Sequence, residues 1–231
     1  MAIYRPGGDR TAPASATAVE APAAGCSFRG LAPGQVADSP SLADLHRVIQ
    51  LLMAWDDDHL HRFRIDGRDY GVAYIGGMNF DEDAAAVPLP QFGFRPTERF
   101  LYEYDFTVGW QVEVRVEKVL EESCESHPIP VCTAGRERGP PDGCGGSRAY
   151  AERRRDAVSW DMASDMDAVV AVLRRVADGD NAVLADPETF SDFEHAVSRL
   201  QSREPFLAEA FPRAAINVAL RQAFTIVRGS P

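Results

Sequence analysis

Phe100-Leu101-Tyr102-Glu103-Tyr104-Asp105-Phe106, followed after Thr107-Val108-Gly109 by Trp110-Gln111-Val112-Glu113-Val114-Arg115-Val116, is the stretch that decides the fold. In its second half Trp110, Val112, Val114 and Val116 alternate with Gln111, Glu113, Arg115 and Glu117. A period of two places the apolar set on one face and the polar set on the other, which predicts an antiparallel sheet covered on one side. A second hairpin is expected upstream, where His61–Ile65 and Tyr70–Ile75 flank Asp66-Gly67, the residue pair of a tight turn.

Helices surround these strands. Ser41-Leu42-Ala43-Asp44 carries a capping signal, and Leu42, Leu45, Ile49, Leu52 and Met53 follow at helical spacing toward Trp55. Later, Met166, Val169, Val170, Leu173 and Val176 form one stripe that ends at Asp178-Gly179. Pro187-Glu188 opens another pattern through Phe190, Phe193, Val197 and Leu200, and a last one follows Pro212 through Ile216, Leu220 and Phe224. The expected class is α+β: an antiparallel sheet with helices on one face, plus C-terminal helices.

Composition sets the outer bounds. Residues 1–38 are rich in Ala, Pro, Gly, Ser and Thr and are expected to be a disordered arm, since so few large apolar side chains cannot offset the entropy of ordering. Residues 39–231 are expected to form the folded domain, helical from about 160 onward. The formal net charge of -11 opposes a broad nucleic-acid or membrane-surface binder. No apolar run is long enough to span a bilayer, and the first residues lack the pattern of a secretory signal. The expected compartment is the cytoplasm, where Cys26, Cys124, Cys132 and Cys144 are reduced thiols or metal ligands rather than disulfides.

Residues 128–150 concentrate two of the four cysteines, four prolines and five glycines, and are expected to form a specific irregular loop. Several segments taken in order resemble the plasmid ORF-3-like family. They are Leu42-Ala43-Asp44-Leu45-His46, Trp55, His59-Leu60-His61-Arg62-Phe63, Tyr102–Phe106 with Trp110, Pro130-Val131-Cys132, and Pro140-Pro141-Asp142-Gly143-Cys144-Gly145-Gly146 with Tyr150. The resemblance spans roughly residues 40–200. It implies an uncharacterised α+β protein in a family some of whose members bear mobile-element or resolvase-like labels. Thr107-Val108 stands where that family has Gly-Asp, Val112 where it has His, and Gly143 where it has Asp. The family's first strand would lie upstream of residue 40, where nothing resembles it, so a degraded member with an exposed sheet edge is one reading.

Three constellations are candidates for chemistry. Cys124, His127, Cys132 and Cys144 offer three thiols and an imidazole of the kind that hold structural zinc, although the spacing is not that of a standard finger; small buried cysteines in a rigid loop are the alternative. His59 and His61 sit two apart on a predicted strand, beside Asp56-Asp57-Asp58 and with Asp105 on another strand; these could line a polar or metal-binding pocket, or be strand-edge histidines beside a solvated acidic turn. Arg136, Arg138, Arg148 and Arg153–Arg155 make a local basic island. With Gly145 and Gly146 as an anion nest, that island is a candidate contact for phosphate, and so for a nucleic-acid or protein partner. No nucleophile elbow, phosphate loop, dinucleotide fingerprint or His-Glu-x-x-His motif is present, and nothing resembles the core of a serine recombinase. The expected function is a non-catalytic binding or accessory role linked to mobile elements through the resemblance. The alternative is a metal-dependent hydrolase or nuclease using His59, His61 and Asp105.

Overall fold

The computed structural model describes residues 14–20, 26–29, 39–72, 79–120 and 129–226. The chain divides into two compact units, one comprising residues 1–139 and 210–231, the other residues 140–209.

The first unit contains both expected hairpins, the upstream one with its second strand at Arg68–Gly71 rather than Tyr70–Ile75, of which residues 73–75 lie outside the described residues. Strands β1 (Ala14–Glu20), β2 (Cys26–Arg29), β3 (His61–Ile65), β4 (Arg68–Gly71), β5 (Glu82–Asp83), β6 (Arg99–Tyr104), β7 (Trp110–Leu120) and β8 (Val131–Ala134) form one sheet in the order β5-β4-β3-β6-β7-β1-β2-β8. All its pairings are antiparallel except β4 with β5, so the sheet is mixed rather than purely antiparallel. Ile65 pairs with Arg68 across Asp66 and Gly67, both at positive φ, the backbone of a two-residue hairpin turn. Tyr104 pairs with Trp110 across a five-residue turn, in which the Asp105 carbonyl accepts from Val108 and Gly109. Trp110, Val112, Val114 and Val116 are buried, and the alternating residues are not, as the period of two requires.

Two corrections concern residues 1–38 and the irregular loop. Ala14–Glu20 and Cys26–Arg29 are strands, and β1 pairs along β7 from Glu20↔Glu113 to Ala14↔Leu120. A polar, small-residue segment can join a sheet this way because the ladder is made by backbone groups, which need no large side chains. The edge expected after residue 40 is therefore occupied. Within the 128–150 stretch, residues 131–134 are strand and a helix starts at Gly146, so only the middle is irregular.

Helix α1 (Leu42–Met53) begins at the expected cap. Ser41 Oγ accepts from the Asp44 amide, and Asp44 Oδ2 accepts from the Ser41 amide at 2.8 Å. Its buried residues include the predicted Leu42, Leu45, Ile49, Leu52 and Met53, but also His46, Val48 and Gln50. Trp55 beyond its end stacks on Tyr104 of β6, with ring centroids 4.8 Å apart. Helix α5 (Arg213–Ile226) packs against β8 and α1, burying Ile216 and Leu220.

The second unit holds α2 (Gly146–Ala157), α3 (Trp160–Ala177) and α4 (Pro187–Arg203). The apolar stripe expected to be the inner face of α3 is largely outside: Met166, Val170 and Leu173 are exposed, whereas Asp165 and Val172 are buried. Asp165 is turned inward by α4, where Arg199 Nη2 donates to it at 2.6 Å and Arg203 makes a second ion pair. Ion pairing, not apolar periodicity alone, sets which side of α3 faces its neighbour.

Candidate metal centre

Two polar residues lie one turn apart on the otherwise apolar face of α1. His46 and Gln50 are separated by four positions, so both project toward the same neighbours, and those neighbours are β3 and β6. His46 Nδ1 lies 2.8 Å from the Tyr102 hydroxyl, to which Gln50 Nε2 donates at 2.9 Å. The His46 ring stacks on that of His61, with centroids 3.5 Å apart and planes 9° from parallel. His46 Nε2 is 2.7 Å from Asp57 Oδ1. Asp57 reaches it from a left-handed backbone conformation, φ 61°, which aspartate tolerates better than most residues.

His46, Asp57 and His61 each offer one donor atom, and the three lie within 4.8 Å of one another. Both histidines are buried, while the Asp57 side chain is 59% exposed. Burial holds the His61 imidazole down to about 3, with the neighbouring His46 adding to the effect. Burial also lowers His46, against the opposing pull of Asp57. At neutral pH both rings are therefore neutral, the form in which imidazole binds metal. His61 Nε2 is buried without a hydrogen-bond partner, as is Gln50 Oε1. Leaving such an atom unpaired costs about 1–3 kcal/mol, and here the unpaired nitrogen belongs to a residue clustered with two further donor residues.

The donor set suits a borderline divalent ion: two imidazoles and one carboxylate are the ligands of many zinc and other transition-metal sites. A tetrahedral ion with bonds near 2 Å needs donors roughly 3.4 Å apart, so loading would draw the three atoms inward and fan the stacked rings apart.

The other sequence candidates distribute as follows. His59 is not with His61; its Nε2 stands 3.6 Å from Asp105 Oδ2, and its ring meets Tyr104 edge-on. Asp105 is buried and accepts from the Thr107 amide. Cys132 and Cys144 are free, buried thiols, both pushed up by burial, which disfavours the thiolate. Cys132 belongs to the first unit and Cys144 to the second, while Cys124 and His127 lie outside the described residues. Arg136 and Arg138 belong to the first unit and Arg148 and Arg153–Arg155 to the second. There Arg148 pairs with Glu152, Arg153 lies over Phe206, and Arg154 lies over Tyr150. Gly145 and Gly146, at the start of α2, both have positive φ.

Sequence reasoning reached His61 but missed His46, Asp57 as a ligand, and Gln50. The available signal is a pair of polar residues four positions apart, His46 and Gln50, set among Leu42, Leu45, Ile49, Leu52 and Met53 of α1.

The fold and the site together define an α+β protein with two buried histidines and an exposed carboxylate clustered at its first helix. The chain belongs to the plasmid pRiA4b ORF-3-like protein family, whose match covers residues 34–175. It is similar to the uncharacterized protein y4hQ of Sinorhizobium fredii, 27% identical over 142 residues that make up 56% of this chain and 72% of that protein. It is also similar to a crystal structure of a protein of unknown function from Methanosarcina mazei Go1, with 25% identity, a TM-score of 0.45, and coverage of 61% of this chain and 78% of that one. Among the described residues no helix is long and apolar enough to cross a membrane.

Proposed function

We propose that this chain is a non-catalytic binding or accessory protein whose functional centre binds one divalent transition-metal ion through His46, Asp57 and His61. The observation that carries this reading is the buried, unpartnered Nε2 of His61 beside a second neutral imidazole and a carboxylate. Zinc is the ion that suits the donors best. The association with mobile elements comes from the family resemblance. The contact surface for a partner is the arginine-bearing start of the second unit, Arg148 and Arg153–Arg155.

Elemental analysis of the purified chain, alongside His61→Ala and Cys132→Ser, tests this reading. About one equivalent of zinc in the wild type, lost in His61→Ala and kept in Cys132→Ser, supports the imidazole site. Loss in Cys132→Ser instead would assign the metal to a thiolate site that includes Cys132.

A second reading is a metal-dependent hydrolase or nuclease. It is favoured by the count of three protein donors, which leaves a coordination position for water on the exposed Asp57 side. His59, two residues from both Asp57 and His61 in sequence and paired with Asp105, would then take the proton. Zinc-dependent cleavage of a model phosphodiester, reduced in His59→Ala without loss of bound zinc, would establish it; zinc-loaded protein without turnover would end it.

A further inference from the structure

We propose that Gln50 and Tyr102 act as a reversible hydrogen-bond relay that lets His46 exchange the tautomer it holds against Asp57 for the one that opens Nε2 to a metal ion. The inference rests on the metal reading above and deepens it.

The proton positions follow from the contacts. The Asp57 carboxylate can only accept, so the 2.7 Å contact from His46 Nε2 places a hydrogen on that nitrogen. A neutral imidazole has one N–H, which leaves Nδ1 bare. The 2.8 Å contact between Nδ1 and Tyr102 therefore uses the tyrosine hydrogen, donated to His46. Gln50 completes the chain, its Nε2 donating to the tyrosine oxygen at 2.9 Å while its Oε1 meets no donor. All hydrogens run one way, from Gln50 through Tyr102 and His46 to Asp57.

A metal ion at His46 Nε2 needs that nitrogen bare. The hydrogen must then sit on Nδ1 and be donated to Tyr102, whose own hydrogen needs a new acceptor. A half-turn of the Gln50 amide supplies it by bringing Oε1 to the place held by Nε2. Each orientation leaves one amide atom unbonded, so neither is strongly favoured on that account. The exchange releases one proton from Nε2 through the exposed Asp57 side and takes one up at Nδ1, with no net change. Gln50 and Tyr102 are thus positioning residues, and glutamine is the side chain that can face either way.

Two measurements on the full chain test this. In the metal-free protein, nitrogen NMR of His46 is expected to show the Nε2–H tautomer, switching to Nδ1–H on adding zinc; a metal-free Nδ1–H form overturns the relay. Zinc titrations supply the second. Tyr102→Phe should weaken binding about 10-fold or more, the usual range for losing a partner of a ligating histidine. Gln50→Glu, which can only accept, should tighten binding several-fold, and only when Tyr102 is present. Equal tightening in the Tyr102→Phe background would reduce the effect to added charge and overturn the relay. If wild type takes up no zinc, the metal reading fails and the relay fails as a metal gate, whatever the resting tautomer. If wild type binds zinc and neither variant alters affinity, only the relay is lost. Should Gln50→Glu not fold, the tautomer measurement and Tyr102→Phe still decide the question.

Discussion

Gly139 sits so close to the end of α1 that a Cβ there would lie 2.8 Å from the Met53 carbonyl oxygen and 3.1 Å from its Cα. Backbone cannot yield as a flexible side chain can, so Gly139→Ala should destabilise the protein by about 1–3 kcal/mol in urea unfolding. Gly135→Ala meets the Phe211 ring instead, at 2.3 Å, and its cost depends on how far that ring can turn. These glycines were legible as a cluster in the 128–150 stretch, but their reason is contact with residues far along the chain, which no local pattern records. The same holds at the candidate site. His61 is marked by the spacing of His59-Leu60-His61, whereas its ring partner His46 lies in a helix whose periodicity rests on Leu42, Leu45, Ile49, Leu52 and Met53. Polar residues inside an apolar stripe carry information that periodicity averages away.

Elements were more legible than their surroundings. The hairpin at Asp66-Gly67, the alternation of β7 and the cap at Ser41 are set by residues within a few positions, and each formed as the pattern required. The buried side of α3 was not legible, because it depends on Arg199 and Arg203 of another helix. Those arginines hold the Asp165 carboxyl down to about 2. A carboxyl depressed in the folded state contributes stability above its unfolded value near 4, and that contribution is lost as pH falls from about 4 to 2. Asp165→Asn should therefore lower the melting temperature at pH 5–7, with the gap to wild type closing toward pH 2; a gap independent of pH would contradict the ion-pair account. Strand β8, the last in the sheet, is closed by a side chain. Asn217 of α5 accepts from the Cys132 amide at 2.7 Å and donates to its carbonyl at 3.0 Å, as a neighbouring strand would. Asn217→Ala should cost about 1–3 kcal/mol in urea unfolding by leaving those groups unpaired. It should also promote concentration-dependent association, read by light scattering, through the opened edge.

At the scale of the whole molecule, the sequence disclosed the class and the family but not how the sheet is completed. Pairing of β1 with β7 joins residues about a hundred positions apart, and a ladder made by backbone leaves no compositional mark. The helical part expected from about 160 onward begins earlier, at Gly146, and is shared out: α2, α3 and α4 belong to residues 140–209, and α5 to the sheet unit. The candidate metal centre ties these scales together, since its donor residues His46, His61 and Asp57 come from α1, β3 and the segment between them. An ion that binds only the folded chain stabilises it by mass action, about 2.7 kcal/mol at a hundredfold excess over the dissociation constant. Zinc should accordingly raise the melting temperature of the wild type and leave that of His61→Ala unmoved. The most direct measurement is calorimetric titration of zinc into the metal-free chain, beside His46→Ala and His61→Ala. One site in the wild type, abolished in both variants while their helix content is kept, is the predicted result. No binding to the folded wild type, or undiminished binding to His61→Ala, would contradict the account.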